Sequence, residues 1–456
     1  MTKKKKGIAL HWKIIIGMVL GVVFSLVLVS TPWGSSSTTV FIGGEEHEIL
    51  NAEKFVRDWV KPFGTMFINA LKLIAVPLIL GSLITSVSDL KDISSLSKMG
   101  LKTISIYLVT TVMAVSLGLL IVNIINPGDS ISEETKTSLV EGYSDETNKT
   151  IEGASAQQEA GPLQALEDLI PENIFFAASY NGNMLQVIVF AIFFGIGLIL
   201  IDEKTAKPVK SFFKGFNEVI LKLIDIIMLS APIGVFALLA GLVAEAPNRD
   251  LFVALLWYAI SVIIGLLLMI VVYCLLVYFF TGKTPKSFIN GISPAQLVAF
   301  STSSSAATLP VTMERVEEHL GVDKKVSAFV LPIGATINMD GTSLYQAVAA
   351  VFIAQAFGLD LSFSAQLGII VTATLASIGS AAVPGAGMVM LVIVLAQAGV
   401  PEAGLALIFP IDRPLDMLRT TVNITGDAMV AMIVGKSEGK LHPPKVKNWN
   451  DNYPKE

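Results

Sequence analysis

The sequence is poor in charge, in cysteine and in histidine. It has 32 basic and 37 acidic residues among 456, 15% charged, against roughly 25% in a soluble domain. Cys274 is the single cysteine and lies within an apolar run, which excludes intramolecular disulfides and cysteine-based metal sites. His11, His47, His319 and His442 all fall outside the apolar blocks, which argues against a histidine metal centre or catalytic triad within them. A net charge of -5 is too mild to suggest nucleic-acid binding. What is abundant is apolar: 53% of residues, with a mean hydropathy of +0.68. These values describe a polytopic membrane protein.

Apolar blocks long enough to cross about 30 Å of hydrocarbon predict helices near 13–31, 57–87, 103–126, 173–201, 214–244, 251–280, 326–357 and 403–435. Two further stretches, 287–318 and 362–398, are broken by small or polar residues and a proline. Lys3 to Lys6, then Lys91, Lys98 and Lys102, Lys204 to Lys214, and Lys283 with Lys286 mark alternate loops as cytoplasmic. Both termini are therefore expected on the cytoplasmic side. The eight helices then span, and the two broken stretches enter and leave on one side. The segment 127–171 reads as an external loop. A cleaved signal peptide is the less favoured reading of the start, because no convincing small-residue cleavage site closes the first apolar run.

The first broken stretch holds five consecutive hydroxyl residues, Ser301 to Ser305, before Pro310. A serine-rich packing face is one reading. The other is a re-entrant hairpin whose tip offers backbone N–H groups to an anionic substrate. The second stretch contains Gly379, Pro384, Gly385 and Gly387. Each precedes a helix with an Asn-containing polar motif, Asn338 to Thr342 and Asn423 to Asp427. This doubled order suits inverted repeats.

Asp412, Asp416, Arg419 or Thr420, Asn423 and Asp427 recur every three or four residues and share one helical face. The stripe would run about 22 Å. Arg419 beside Asp416 at i+3 neutralises one carboxylate only. With Asp340 the set Asp340, Asp412, Asp416, Arg419 and Asp427 sums to -3, so carboxylates are protonated or cations bind. Asn338, Asp340, Asn423 and Asp427 form an all-oxygen environment for a hard monovalent ion, without sulfur or imidazole to attract a transition metal. Arg419 is a permanent cation shaped for a carboxylate. Beside Asp416, it suits a substrate with an amine and a second acid group.

At these residues the sequence resembles the dicarboxylate/amino acid:cation symporter family of glutamate and aspartate transporters. The serine-rich hairpin, NMDGT (Asn338 to Thr342), VPGAG (Val383 to Gly387) and the pattern from Asp412 to Asp427 carry the resemblance across nearly the whole chain. It implies an all-α fold of eight transmembrane helices plus two re-entrant helical hairpins, built as inverted repeats and working as an elevator. Residues 1–87 would form scaffold helices 1–2, 103–126 transport-domain helix 3, and 172–244 scaffold helices 4–5. Residues 251–435 would complete the transport domain, with hairpin 1 at 285–318 and hairpin 2 at 361–398, followed by a cytoplasmic tail, 436–456. The resemblance further implies a homotrimer in the cell membrane, no cofactor beyond co-transported sodium, and no enzymatic activity.

It also implies residue roles. Asp416 would take the substrate ammonium, Arg419 its side-chain carboxylate, and Thr420 and Asn423 its head group. Thr342 would support Arg419, while Ser304, Ser305 and Val383 to Gly387 close over the ligand. One sodium site would use Gly334, Asn338, Asn423 and Asp427. A second would use Thr336, Met339, Ser377, Ile378 and Ser380, and a third Tyr107, Thr110, Thr111, Asn338 and Asp340.

Three departures stand out. Ser303 and Met417 occupy positions where acidic-substrate members carry a second arginine, and Arg413, one turn before Met417, could supply part of that charge. Gln346 replaces a titratable glutamate of the animal members, which predicts sodium coupling without obligatory potassium countertransport. Pro414 removes a backbone hydrogen bond within the stripe. The expected function is sodium-coupled uptake of L-aspartate or L-glutamate. Alternatives are proton coupling, a neutral amino acid such as alanine or serine, or a C4-dicarboxylate. Arg419 argues against the neutral substrate and Asp416 against the dicarboxylate. An ion channel fits a saturable zwitterion site less well, and a serine hydrolase lacks a base near Ser303 to Ser305.

Overall fold

Helices whose apolar residues surround them on all sides need packing partners or lipid, and such helices make up most of this chain. The computed structural model describes residues 10–42, 45–89, 97–133, 135–137, 170–179, 184–245, 249–378 and 385–445. Helix α1 (Leu10–Ser30) is followed by strands β1 (Ser37–Ile42) and β2 (Glu45–Leu50). Then come α2 (Asn51–Trp59), α3 (Lys61–Leu78), a π-helical turn (Ile79–Leu83) and α4 (Ile84–Asp89). After α5 (Ser97–Ile125) the chain continues through α6 (Ile174–Ser179), α7 (Met184–Leu200), α8 (Glu203–Glu245) and α9 (Arg249–Thr281). The C-terminal part contains α10 (Pro285–Thr302), α11 (Ser305–Glu314), α12 (Lys324–Ile337), α13 (Asp340–Ala356), α14 (Phe363–Ile378), α15 (Ala386–Gln397) and α16 (Leu405–Ser437).

Among the described residues, Lys61–Leu83, Met99–Ser130, Glu203–Gly241 and Asp250–Thr281 are helices long and apolar enough to cross a membrane. Large apolar side chains lie exposed on them, including Leu73, Ile124, Leu229 and Phe279, a surface suited to hydrocarbon rather than water. α1 and α3 each pack on α8, and α7 packs against α4. The other helices gather around α16, which touches α9, α10, α12 and α13, while α5 lies along α13. The two groups meet where Lys72 of α3 pairs with Glu402 at 2.7 Å and Phe67 stands edge-on to Phe409 at 4.9 Å.

Four features differ from the sequence-based expectation. The fold is not purely α: β1 and β2 pair antiparallel, from Ser37↔Leu50 to Ile42↔Glu45. The threonine- and valine-containing run suits a pleated strand, and so short a hairpin does not disturb the helical plan. The helix expected over 326–357 is two helices, because Asn338 (φ -91°, ψ 90°) and Met339 (φ -115°, ψ 45°) leave helical geometry. The block expected over 57–87 changes to π-helical pairing at Ile79–Leu83, while that expected over 173–201 is helical at α6 and α7, with 180–183 outside the described residues. Of the expected loop 127–171, the described start is anchored: Ser132 N–H and Thr135 Oγ1 donate to Asp250 Oδ2 at 2.8 and 3.0 Å, and Gly128 N–H donates to Gln355 Oε1 at 3.0 Å.

The two broken stretches become helix pairs. α10 turns into α11 at Ser303, which is left-handed at φ 51°, and Ser304 caps α11 by accepting from Ala307 N–H at 3.1 Å. α14 packs beside α15, which starts after Gly385 at φ 83°, a conformation glycine adopts without strain. Beyond α16 the chain returns along the base of the first pair. Val322 and Leu441 form a bridge, His442 N–H donates to Gly321 O at 2.7 Å, and Lys445 Nζ donates to Glu318 Oε1 at 2.9 Å.

Candidate functional site

The stripe read along α16 has two levels. At the outer level, Arg419 is fully buried and donates to two carboxylates, Asp412 Oδ1 at 2.7 Å and Asp416 Oδ1 at 2.9 Å. Arg419 thus bonds Asp412 as well as the expected Asp416, while its single charge still balances one carboxylate. Asp412 lies two turns away, within reach of so long a side chain. Arg413 adds a second guanidinium, donating to Asp416 Oδ2 at 3.1 Å. Asp412, Arg413, Asp416 and Arg419 are thus neutral as a set, and the deficit of three over the stripe and Asp340 falls to two.

Other elements hold this cluster. The Arg419 guanidinium carbon lies 3.8 Å from the centre of the Tyr345 ring on α13, a cation–π contact that requires desolvated stacking. Gly385 N–H approaches Asp416 Oδ2 at 3.3 Å. A Cβ on Gly387 would lie 3.0 Å from Thr342 Cγ2 and 3.6 Å from Arg419 Nη2, so the start of α15 covers the arginine closely because it is glycine. Thr420 turns its hydroxyl onto Asp416 O at 2.9 Å. Asn423 joins the levels: its Oδ1 accepts from Gly341 N–H at 2.8 Å, and its Nδ2 donates to Thr342 Oγ1 at 3.3 Å. Ser304 and Ser305 are buried at the start of α11, which packs against α16.

The inner level is acidic and uncompensated. Asp340 and Asp427 are buried, and among the described residues no Lys, Arg or His forms an ion pair with either. Asp340 accepts from Thr111 Oγ1 at 2.7 Å and from Tyr273 OH at 2.6 Å. Asp427 Oδ1 accepts from Asn338 Nδ2 at 2.8 Å, and the same amide donates to Asn423 O at 3.3 Å. Asn338 Oδ1 is buried and has no hydrogen-bond partner. Gly334 passes so close that a Cβ would collide with Asp427 Oδ1 and Tyr107 OH. At the break, the Asn338 backbone N–H still donates to Gly334 O at 2.9 Å, while its side-chain amide reaches α16.

The first proposed ion set, Gly334, Asn338, Asn423 and Asp427, is brought together by these contacts. Of the third, Thr111 meets Asp340 directly, Tyr107 donates to Val330 O at 3.1 Å, and the Thr110 hydroxyl donates to Tyr107 O at 3.1 Å. Among the described residues, the second set is not joined by side-chain bonds. Thr336 donates to Ile333 O at 3.0 Å and Ser377 to Thr374 O at 2.8 Å, each within its own helix. Ile378 ends α14, and Met339 Sδ faces Asn423 Nδ2 at 3.2 Å. Ser380 and Val383 lie outside the described residues.

Sequence reasoning missed Tyr273 and Tyr345. Both lie in apolar runs, where a tyrosine resembles any core aromatic; the signal was Tyr345 four residues beyond Gly341, on the face that meets α16. Buried oxygens around two carboxylates can receive cations, and the guanidinium–carboxylate cluster can receive a zwitterion with a further acid group.

Comparison with known proteins agrees with this chemistry. Residues 10–437 match the sodium:dicarboxylate symporter family. The chain is 34% identical to the proton/sodium-glutamate symport protein of Geobacillus stearothermophilus, over 97% of this chain and 98% of that one. It is 39% identical to excitatory amino acid transporter 1 of Ambystoma tigrinum, over 81% and 76% of the two chains. Against excitatory amino acid transporter 3 of Oryctolagus cuniculus the identity is 38%, over 83% and 79%. The family and these relatives are transporters, not enzymes. With a match that covers all but the ends of the chain, this protein belongs to the sodium:dicarboxylate symporter family.

Proposed function

We propose that this protein is a multi-pass secondary symporter that takes up L-aspartate or L-glutamate together with sodium ions. One observation carries the reading: two buried carboxylates that have no basic partner among the described residues lie on the same bundle of helices as a charge-balanced arginine cluster. A buried, unpaired charge is costly, and two neighbouring ones repel. Sodium, the transported ion, relieves both. The Asn338 oxygen without a hydrogen-bond partner supports an ion there.

Asn423 couples the levels. It receives Asn338 on its backbone oxygen and holds Thr342 with its side chain. An ion that fixes Asn338 and Asp427 therefore also fixes Thr342 against the start of α15. Asp416 then takes the substrate ammonium and Arg419 its side-chain carboxylate, while the turns of the two helix pairs close over the ligand. α1 to α4 and α6 to α8 form the scaffold. α5 and α9 to α16 form the domain that moves as an elevator. Eight spans, two re-entrant pairs, a homotrimer, the cell membrane and cytoplasmic termini complete the reading. It is supported by the lysine-rich loops and by the apolar exposed faces of the long helices.

Gln346 is buried and donates to Gly387 O at 3.2 Å. An amide cannot exchange a proton there, so transport proceeds without obligatory potassium countertransport. Internal potassium that proved necessary in proteoliposomes would contradict this. Proton coupling is the second reading, because the same buried carboxylates could be neutralised by protonation and relatives carry both ions in their names. Uptake with and without sodium at fixed pH separates the two. The central test is binding of L-aspartate, L-glutamate, L-serine and succinate to the purified protein at varied sodium. Serine binding without aspartate binding would refute the substrate assignment.

A further inference from the structure

Asp416 has more donors than a site awaiting an ammonium can keep. Its Oδ1 is taken by Arg419 at 2.9 Å, and its Oδ2 by Arg413 at 3.1 Å with Gly385 N–H at 3.3 Å. An incoming ammonium has to replace one of these groups. The two guanidiniums are unequally held. Arg419 is fully buried, shares a second carboxylate and lies on Tyr345. Arg413 is 17% exposed and lines a cleft with Met228, Gly385, Phe409, Asp412 and Asp416. Exchange with water costs a partly exposed ion pair little, whereas a buried two-carboxylate pair is costly to open. A ligand approaching Asp416 from the side of Arg413 therefore meets the weaker bond first.

We infer that Arg413 is a displaceable counter-ion of Asp416 and a second residue that selects an acidic side chain. The inference rests on the proposed reading of the site as one for an acidic amino acid. Arg413 neutralises Asp416 through Oδ2. The substrate ammonium takes that oxygen, and the released guanidinium turns to the ligand's far carboxylate. Arg413 and Arg419 lie three residues before and after Asp416, on one helical face, about 4.5 Å of rise to either side. A ligand amine at Asp416 thus has a guanidinium on each side. The charges agree. With Arg413 the cluster is neutral and receives aspartate at -1; without it, -1 meets -1. A neutral amino acid gains from the vacated oxygen and loses nothing.

The test is a binding titration at saturating sodium of the parent protein, R413M and R413K, with L-aspartate directly and L-serine by competition. In R413M, aspartate is expected to bind about tenfold more weakly and serine about threefold more tightly, because one cap is gone and one carboxylate partner is lost. R413K should restore the preference for aspartate. Opposite signs for the two ligands are the diagnostic, since a packing defect weakens both. An unchanged aspartate-to-serine ratio, equal shifts of both ligands, or failure of R413K to restore the preference overturns the inference. R413Q provides the same measurement if R413M does not purify. A parent protein that binds no aspartate refutes the underlying reading instead.

Discussion

Two acidic clusters lie along the same stretch of α16, and they are settled in opposite ways. Outside, Asp412 and Asp416 face Arg413 and Arg419, and their charges cancel within the protein. Inside, Asp427 and the neighbouring Asp340 receive only hydroxyl and amide donors. Hydrogen bonds soften a buried charge without neutralising it. On the proposed reading, the outer cluster, already balanced by its own arginines, has to be opened by the substrate, and the inner cluster has to be filled by a cation. A site of the first kind exchanges one ion pair for another and so reads chemical identity, whereas a site of the second kind reads only the presence of positive charge.

The comparison breaks if a change in one cluster produces the deficit expected of the other. The largest effect is expected from Arg419→Cys, which leaves Asp412 and Asp416 without their buried partner. Breaking such a pair costs about 3–5 kcal/mol, so aspartate affinity should fall more than about a hundredfold and preference should move toward neutral amino acids. Unchanged aspartate binding in a titration would show that the outer cluster does not read the substrate. Next is Asp427→Asn, nearly the same shape with one charge removed. The sodium concentration for half-maximal aspartate binding should rise about a hundredfold, or about 2.7 kcal/mol, with little change in the ranking of aspartate over serine at saturating sodium. A changed ranking with unchanged sodium dependence would reverse the roles of the two clusters.

Gly334→Ala sharpens the picture geometrically. Its Cβ would collide with Asp427 Oδ1 and Tyr107 OH, and overpacking typically costs about 1–3 kcal/mol. Sodium affinity should drop about tenfold or more while Arg419 is untouched; normal sodium dependence would place the ion elsewhere. The smallest effect is expected from Tyr273→Phe, which removes one hydrogen bond to Asp340. A loss of about 1 kcal/mol predicts about a fivefold weaker sodium response by the same titration.

Much of this arrangement was legible in the sequence. The spacing of Asp412, Asp416, Arg419, Asn423 and Asp427 fixes a common face, and no packing can rearrange that. The serine run and the Gly–Pro cluster announced breaks, because each removes helix propensity where the flanks are strongly apolar. Partnership was not legible. Whether Arg419 takes one carboxylate or two depends on a side chain spanning seven residues, and whether Arg413 points inward depends on the cleft beside Met228. The tyrosines carried no mark, since hydrogen bonding by a buried phenol depends on what a distant helix presents. The β-hairpin had a signal, a Thr/Val run opposite an acidic one around Gly43 and Gly44, which the dominance of long apolar blocks obscured.

The return of the chain past α16 has a practical side. Residues 440–445 are assembled against the loop at 318–323, as a short strand is assembled in a sheet. An affinity handle or fluorescent protein joined at residue 437 would remove the partner of Gly321 and Val322 and leave the base of the first helix pair with unmatched backbone groups. Joined beyond residue 445, the same handle leaves that seam closed. Fusions that differ by eight residues would therefore report on two different molecules.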